Sequence, residues 1–248
     1  MEISKIKNKR HTISRRIFNT TLSLGLANIV LPQAKAGKGP KIAIIGGGIG
    51  GVNVARILAS QMINCKITLI EPNKLHITPF ETNHFLTGQH DLPDFSYDYI
   101  TISQMPNIQV IHDLATSIDP EKRKVKFKKT SDLTFDKLIV ATGIGLIWNS
   151  IEGYDFECSQ IFPHAYEGTN DSQWNLLFQQ IKNMPDGGLV TICAPKRPYR
   201  CTPAPYERAS LIAEYLKLEK PKSKILLLDS KNEFPLMDMI QEIWNKDY

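Results

Sequence analysis

The amino-acid sequence predicts an α/β protein built from two Rossmann-like strand–helix–strand units, and three observations predict it. First, "KIAII" (residues 41–45) is a short apolar run of the kind buried in a parallel sheet, and it leads through "GGGIGG" into a mostly apolar helix. Second, "KITLIEPN" repeats the strand pattern and closes on Glu71, twenty residues past Gly51. Third, strand, helix and strand recur late in the chain as "GGLVTICAP", "YERASLIAEYLKLEK" and "SKILLLDSKNEF". With 248 residues and 42% hydrophobic content, the chain suits one to two domains.

Taken in order, the first element is a leader, residues 1–36. It holds seven Lys/Arg (Lys5, Lys7, Lys9, Arg10, Arg15, Arg16, Lys35) against one acid, Glu2. Twin arginines in "SRRIF" precede a weakly apolar run of about ten residues, and "AKA" (residues 34–36) supplies small residues for a peptidase. The run is too short to span a bilayer. A twin-arginine signal peptide is expected, followed by a periplasmic chain with no membrane insertion. Beyond the leader, 23 basic residues face 24 acidic ones, so charge gives no argument for a nucleic-acid partner.

Residues 37–150 are read as a first domain. In it Gly46, Gly48 and Gly51 form G-x-G-x-x-G directly after a strand and opening a helix. They serve the tight turn, close approach of a pyrophosphate, and close helix–strand packing. Free N–H groups and the positive dipole end of the helix stabilise phosphate there, and Glu71 can accept from a ribose diol. Residues 74–106 read as irregular and carry His76, His84 and His90. A meander of strands follows over residues 108–143. In it Val125 and Phe127 alternate with Lys124, Lys126 and Lys128, the period of a half-exposed strand, which gives "EKRKVKFKK" a solvated face.

Residues 151–248 form the second unit. Its strand "GGLVTICAP" is followed by Ala194-Pro195, where a nucleotide cradle needs Gly-x-Gly, and proline has no N–H to offer a phosphate. A nicotinamide nucleotide is therefore not expected in this half. Cys201 stands in that turn instead, after Lys196, Arg197 and Arg200 and just before a helix with Pro205 in its first turn. Cations and a helix N-terminus both favour thiolate, which makes Cys201 the candidate redox or nucleophilic residue. The other cysteines are Cys65, Cys158 and Cys193. No C-x-x-C or C-x-x-C-H occurs, so neither a local zinc site nor haem attachment is indicated, and any haem has to come from another chain.

"DKLIVATG" resembles the segment that closes the first domain of two-dinucleotide-binding-domain flavoproteins. That likeness makes FAD the expected cofactor, with Thr142 and Gly143 beside it and Ala115 where such proteins touch adenine. "CTPAPYERASLIAEYLK", "KILLLDSKNEFP", "TLIEPN", "IEGY", "MPDGG" and the twin-arginine leader resemble the flavoprotein subunit of flavocytochrome c sulfide dehydrogenase. The resemblance implies a periplasmic flavoprotein that oxidises sulfide and passes electrons to a c-type cytochrome subunit, which carries the haem. It also implies that Cys201 is one member of a redox-active disulfide beside the flavin. Hydrosulfide would attack that disulfide, leaving a persulfide and a thiolate. No cysteine follows "EPN" closely, where Thr78 or Pro79 stands, so non-covalent FAD is expected. Against the same family the second domain is expected to be incomplete at the C-terminus. Two alternatives stay open: a sulfide:quinone reductase-like flavoprotein, and a non-catalytic FAD-binding or cytochrome-docking fragment.

Overall fold

The computed structural model describes residues 39–80, 82–88, 90–166 and 172–248, and these described residues belong to one compact unit. The predicted signal peptide lies outside the described residues. Strand β1 (Lys41–Ile45) and helix α1 (Ile49–Gln61) flank the glycine turn, and β2 (Lys66–Ile70) follows. Next come β3 (Leu75–Ile77), two 3-10 turns (Thr82–Thr87 and Leu92–Phe95), β4 (Ser96–Asp98), the short α2 (Ile100–Ser103) and β5 (Ile108–Ile111). The chain continues through β6 (Ala115–Asp119), β7 (Lys124–Phe127), β8 (Leu133–Thr134) and β9 (Lys137–Val140). The second half contains α3 (Phe156–Ser159), α4 (Ser172–Asn183), β10 (Leu189–Ala194), α5 (Ala204–Glu219), β11 (Lys224–Asp229) and α6 (Met237–Asp247).

The main sheet has the order β5-β2-β1-β9, all parallel, with Ile45 opposite both Ile70 and Val140. Ile44, Ile67 and Leu69 are fully buried in it, each contributing about 1.5–3 kcal/mol. Helix α1 lies close against the sheet because the residues it turns inward, Gly51, Ala55 and Ala59, are small and fall every fourth position. Strands β6, β7 and β8 form a separate antiparallel sheet. There Val125 is fully buried while Lys126 is exposed and Lys124 pairs with Asp132 at 3.5 Å, the half-exposed strand that the alternation predicts.

The stretch read as irregular is more ordered than its sequence suggests. Strands β3 and β4 pair antiparallel, Leu75 opposite Asp98, across twenty-odd intervening residues. Ile77, Phe85, Leu86 and Phe95 from this stretch pack with Ala165 and Trp174 from the second half. The pairing joins residues far apart in the chain, and no short-range turn signal announces it.

In the second unit β10 and β11 pair parallel, Ala194 opposite Asp229. Val190, Ile192 and Ile225 face inward onto Leu177 and Ile181 of α4 and Ile212 and Leu216 of α5. The opposite face, with Leu189, Cys193, Leu226 and Leu228, is exposed.

Candidate functional site

In the main sheet the parallel strands bring their carboxyl ends to one edge, the position at which open α/β sheets bind ligands. Four segments meet there: the glycine turn after β1, Glu71 after β2, residues 112–115 after β5, and Thr142–Gly143 after β9. Glu71 N–H donates to the Ile111 carbonyl at 3.0 Å, and Ala141 N–H to that of Ile45 at 2.7 Å, which ties neighbouring segments together. All seven residues predicted to hold the cofactor (Gly46, Gly48, Gly51, Glu71, Ala115, Thr142 and Gly143) lie on this edge.

The glycine turn has little space to spare. Gly46 adopts φ +104°, and a Cβ there would stand 2.3 Å from the Ala141 carbonyl oxygen. A Cβ at Gly51 would stand 1.8 Å from the Gly46 oxygen, so helix and turn meet backbone to backbone. Gly48 differs: its Cβ would meet only the His76 ring, at 3.6 Å, leaving the space in front of the helix clear. No side chain caps α1 and no acid lies in its first turn, so its leading N–H groups are available to an anion.

Four further residues, Gly47, Asn73, Tyr99 and His76, build this cradle, and no local sequence pattern marks them. Glu71 accepts from Gly47 N–H at 2.8 Å through Oε2, and from Asn73 N–H at 3.0 Å and Nδ2 at 2.8 Å through Oε1. The buried Tyr99 hydroxyl donates to the Gly47 carbonyl at 2.9 Å, so both sides of Gly47 are fixed. Burial, and secondarily the Glu71 carboxylate, raise the Tyr99 pKa and keep the phenol protonated. A Cβ at Gly47 would stand 2.7 Å from both Glu71 and Tyr99, a requirement hidden inside the triple glycine. His76 borders Gly48; its Nε2 is buried without a partner among the described residues, and burial lowers its pKa against the pull of Glu71. A cradle that a Cβ would fill and an unpaired nitrogen beside it fit a bound dinucleotide.

Cys201 lies in the loop between β10 and α5, exposed, a free thiol like the other three cysteines, at φ +54°. Its carbonyl accepts from Ala204 N–H at 2.9 Å, which starts α5, and Pro205 lies in the first turn as predicted. Lys196, Arg197 and Arg200 are exposed earlier in the same loop, and Arg200 Nη1 donates to the Tyr166 carbonyl at 3.3 Å. Glu207 is exposed in the first turn of α5, where an acid is favoured by the helix dipole.

The motif around Cys201 also carries structural anchors. Arg208 is buried, donates to the carbonyls of His164 at 3.0 Å and Ala165 at 2.9 Å, and lies over the rings of Tyr166 and Trp174. It holds Ala165 at φ +49°, a second non-glycine residue in the left-handed region. Among the described residues no group of His, Cys, Asp and Glu could hold a metal ion, and no helix is long and apolar enough to cross a membrane.

Comparison with known proteins agrees with this architecture. Residues 40–171 match the pyridine nucleotide-disulphide oxidoreductase family, and residues 174–248 match the central part of the sulfide dehydrogenase (flavocytochrome c) flavoprotein chain. The mitochondrial sulfide:quinone oxidoreductase of Dictyostelium discoideum is 25% identical over 75% of this chain and 41% of its own length. The sulfide-quinone reductase of Aquifex aeolicus is 30% identical over 51% of this chain and 30% of its own. The chain thus spans well under half the length of either relative. In three dimensions it resembles the sulfide:quinone oxidoreductase of Aquifex aeolicus with a TM-score of 0.68 at 21% identity, covering 84% of this chain and 49% of that one. The chain belongs to the pyridine nucleotide-disulphide oxidoreductase family, and its residues 174–248 are similar to the central part of the flavocytochrome c sulfide dehydrogenase flavoprotein chain.

Proposed function

We propose that this family member binds FAD non-covalently and oxidises sulfide at Cys201, with electrons leaving to a c-type cytochrome subunit that carries the haem. One observation carries the reading: a glycine cradle is complete at the first sheet edge, while at the second the corresponding turn holds Ala194, Pro195 and an exposed thiol. Gly46, Gly48 and Gly51 with the α1 N-terminus would take the pyrophosphate and Glu71 the ribose. Ala115 would lie at the adenine, and Thr142 and Gly143 beside the flavin. FAD, when bound, accepts an electron pair and releases it one electron at a time.

The chain's own residues bind and orient the sulfur. Lys196, Arg197 and Arg200 attract hydrosulfide by charge. With Cys201 joined to a second cysteine in a disulfide, hydrosulfide would attack one sulfur: a new sulfur–sulfur bond forms there as the old one breaks, the electron pair of the broken bond leaves on the other sulfur as thiolate, and the S–H proton passes to solvent. The leader directs export by the twin-arginine route, which makes the protein periplasmic; cleavage after Ala36 in an export-competent host tests this.

The names of the curated relatives favour a second reading, in which a quinone is the acceptor. Sulfide-dependent reduction of a c-type cytochrome and of a soluble quinone, measured side by side with FAD-loaded protein, separates the two. Cys201→Ser should abolish either activity while flavin stays bound. Undiminished turnover in that variant overturns the proposal.

A further inference from the structure

The two units end their second strands in a carboxylate, and they use it differently. Among the described residues Glu71, just past β2, accepts from its own turn and from Gly47, and so faces the cradle. Asp229, the last residue of β11, is engaged on both oxygens by side chains. Tyr206 donates its hydroxyl to Oδ2, and Lys231 donates to Oδ1 from Nζ at 2.6 Å and from its backbone N–H at 2.9 Å.

These partners reach into the Cys201 loop. Lys231 Nζ also donates to the Pro195 carbonyl at 3.0 Å and lies 5.2 Å from the centre of the Tyr199 ring. Tyr199 in turn donates to the Thr202 carbonyl at 2.8 Å, next to Cys201. Tyr206 is fully buried in the first turn of α5, stacked on Phe234 with centroids 3.7 Å apart and planes 12° from parallel. The loop is therefore fastened at its start, its middle and its exit, and each fastening leads back to one carboxylate. Cys201 needs such support, because the left-handed region is strained for a residue other than glycine. Burial works against the charge on Asp229, but hydrogen bonds from Lys231 and Tyr206 hold its carboxyl below the usual range.

The geometry points to Asp229 as a positioning residue for Cys201. With Lys231 and Tyr206 it occupies the strand end where a second nucleotide's ribose would be held, and fixes there the loop that presents the thiol. The inference rests on the reading of Cys201 as the reactive sulfur. Its test needs neither flavin nor sulfide.

The test is the rate of iodoacetamide alkylation at each cysteine, followed by peptide mass spectrometry of the whole chain at pH 7. Cys193 is exposed on β10 itself, outside the loop, and serves as the internal reference. Lys231→Ala and Asp229→Asn should each slow Cys201 by about fivefold, with no further loss in the double variant, because the two act as one unit. Lys231→Arg should restore the rate. Tyr206→Phe keeps the ring stack and should slow Cys201 too, which covers the case of Asp229→Asn failing to fold. Unchanged Cys201 rates in both Lys231→Ala and Tyr206→Phe overturn the inference, as does a parallel change at Cys193. Should the wild type fail to oxidise sulfide while the alkylation pattern holds, the functional reading falls and the positioning role stands.

Discussion

The guanidinium of Arg208, on α5, donates to the carbonyl of Ala165, more than forty residues earlier, at 2.9 Å. A second bond, to the His164 carbonyl at 3.0 Å, makes this side chain, with Arg200 on the Tyr166 carbonyl, a tie between the Cys201 motif and the 164–166 segment. Arg208→Met would fill similar space and leave two carbonyls without their donor. At about 1–3 kcal/mol for each unsatisfied buried group, the variant should lose about 2–6 kcal/mol in urea unfolding. Arg208→Lys should lose less, since an ammonium can still reach one carbonyl.

The glycines of the cradle should separate folding from binding. Gly51→Ala forces a Cβ to 1.8 Å from the Gly46 oxygen, so the expected result is an unstable or insoluble chain. Gly48→Ala meets only the edge of His76 at 3.6 Å, so the apo-protein should melt within a few degrees of wild type. Its FAD affinity, read by flavin fluorescence titration, should nevertheless fall by about tenfold or more, because the methyl group enters the pyrophosphate's place.

Tyr99→Phe removes a hydroxyl that holds the carbonyl of the buried Gly47 and leaves the ring in place. Stability should fall by about 1–3 kcal/mol, the cost of an unpaired buried acceptor. Flavin affinity should drop with it, since the Gly47 peptide is then held only through Glu71. Equal flavin affinity in wild type and variant would show that Glu71 alone sets the turn.

Stability should fall on mild acidification. Burial, with the Arg208 cation as the lesser cause, lowers the His164 pKa from 6.5 to about 4. Its Nδ1 accepts the Tyr166 N–H at 3.0 Å, which requires an unprotonated Nδ1. Between those pH values the unfolded chain binds the proton and the folded one does not. The contribution is thus complete above about pH 6.5 and is lost as pH falls toward 4. The side chain is only half-buried, so the expected loss is about 1–2 kcal/mol. His164→Gln should flatten that part of the pH–stability curve.

What could be read from the sequence was local. The β1–glycine–α1–β2 unit, Glu71 at its end and Pro205 opening α5 are patterns within some thirty residues, and each stands where its spacing places it. What escaped the reading depends on distant partners. Gly47 and Tyr99 meet across 52 positions, Arg208 and Asn83 across 125, and β3 pairs with β4 across two intervening 3-10 turns. Tyr206 and Asp229 are 23 residues apart, and nothing in either neighbourhood marks one as the other's partner. Cys201 stands out in the sequence as a residue type in a turn; the anchors that hold the turn do not.

The β10–β11 sheet offers a practical handle. Cys193 stands directly across from Leu228 on its outward side, while the inward side is taken by α4 and α5. A maleimide dye on Cys193, in a chain whose Cys201 is replaced by serine, would report solvent polarity on that side while leaving the packed interior untouched. Leu226 and Leu228 are about half exposed on that side, so charged replacements there are natural choices for keeping concentrated samples free of self-association.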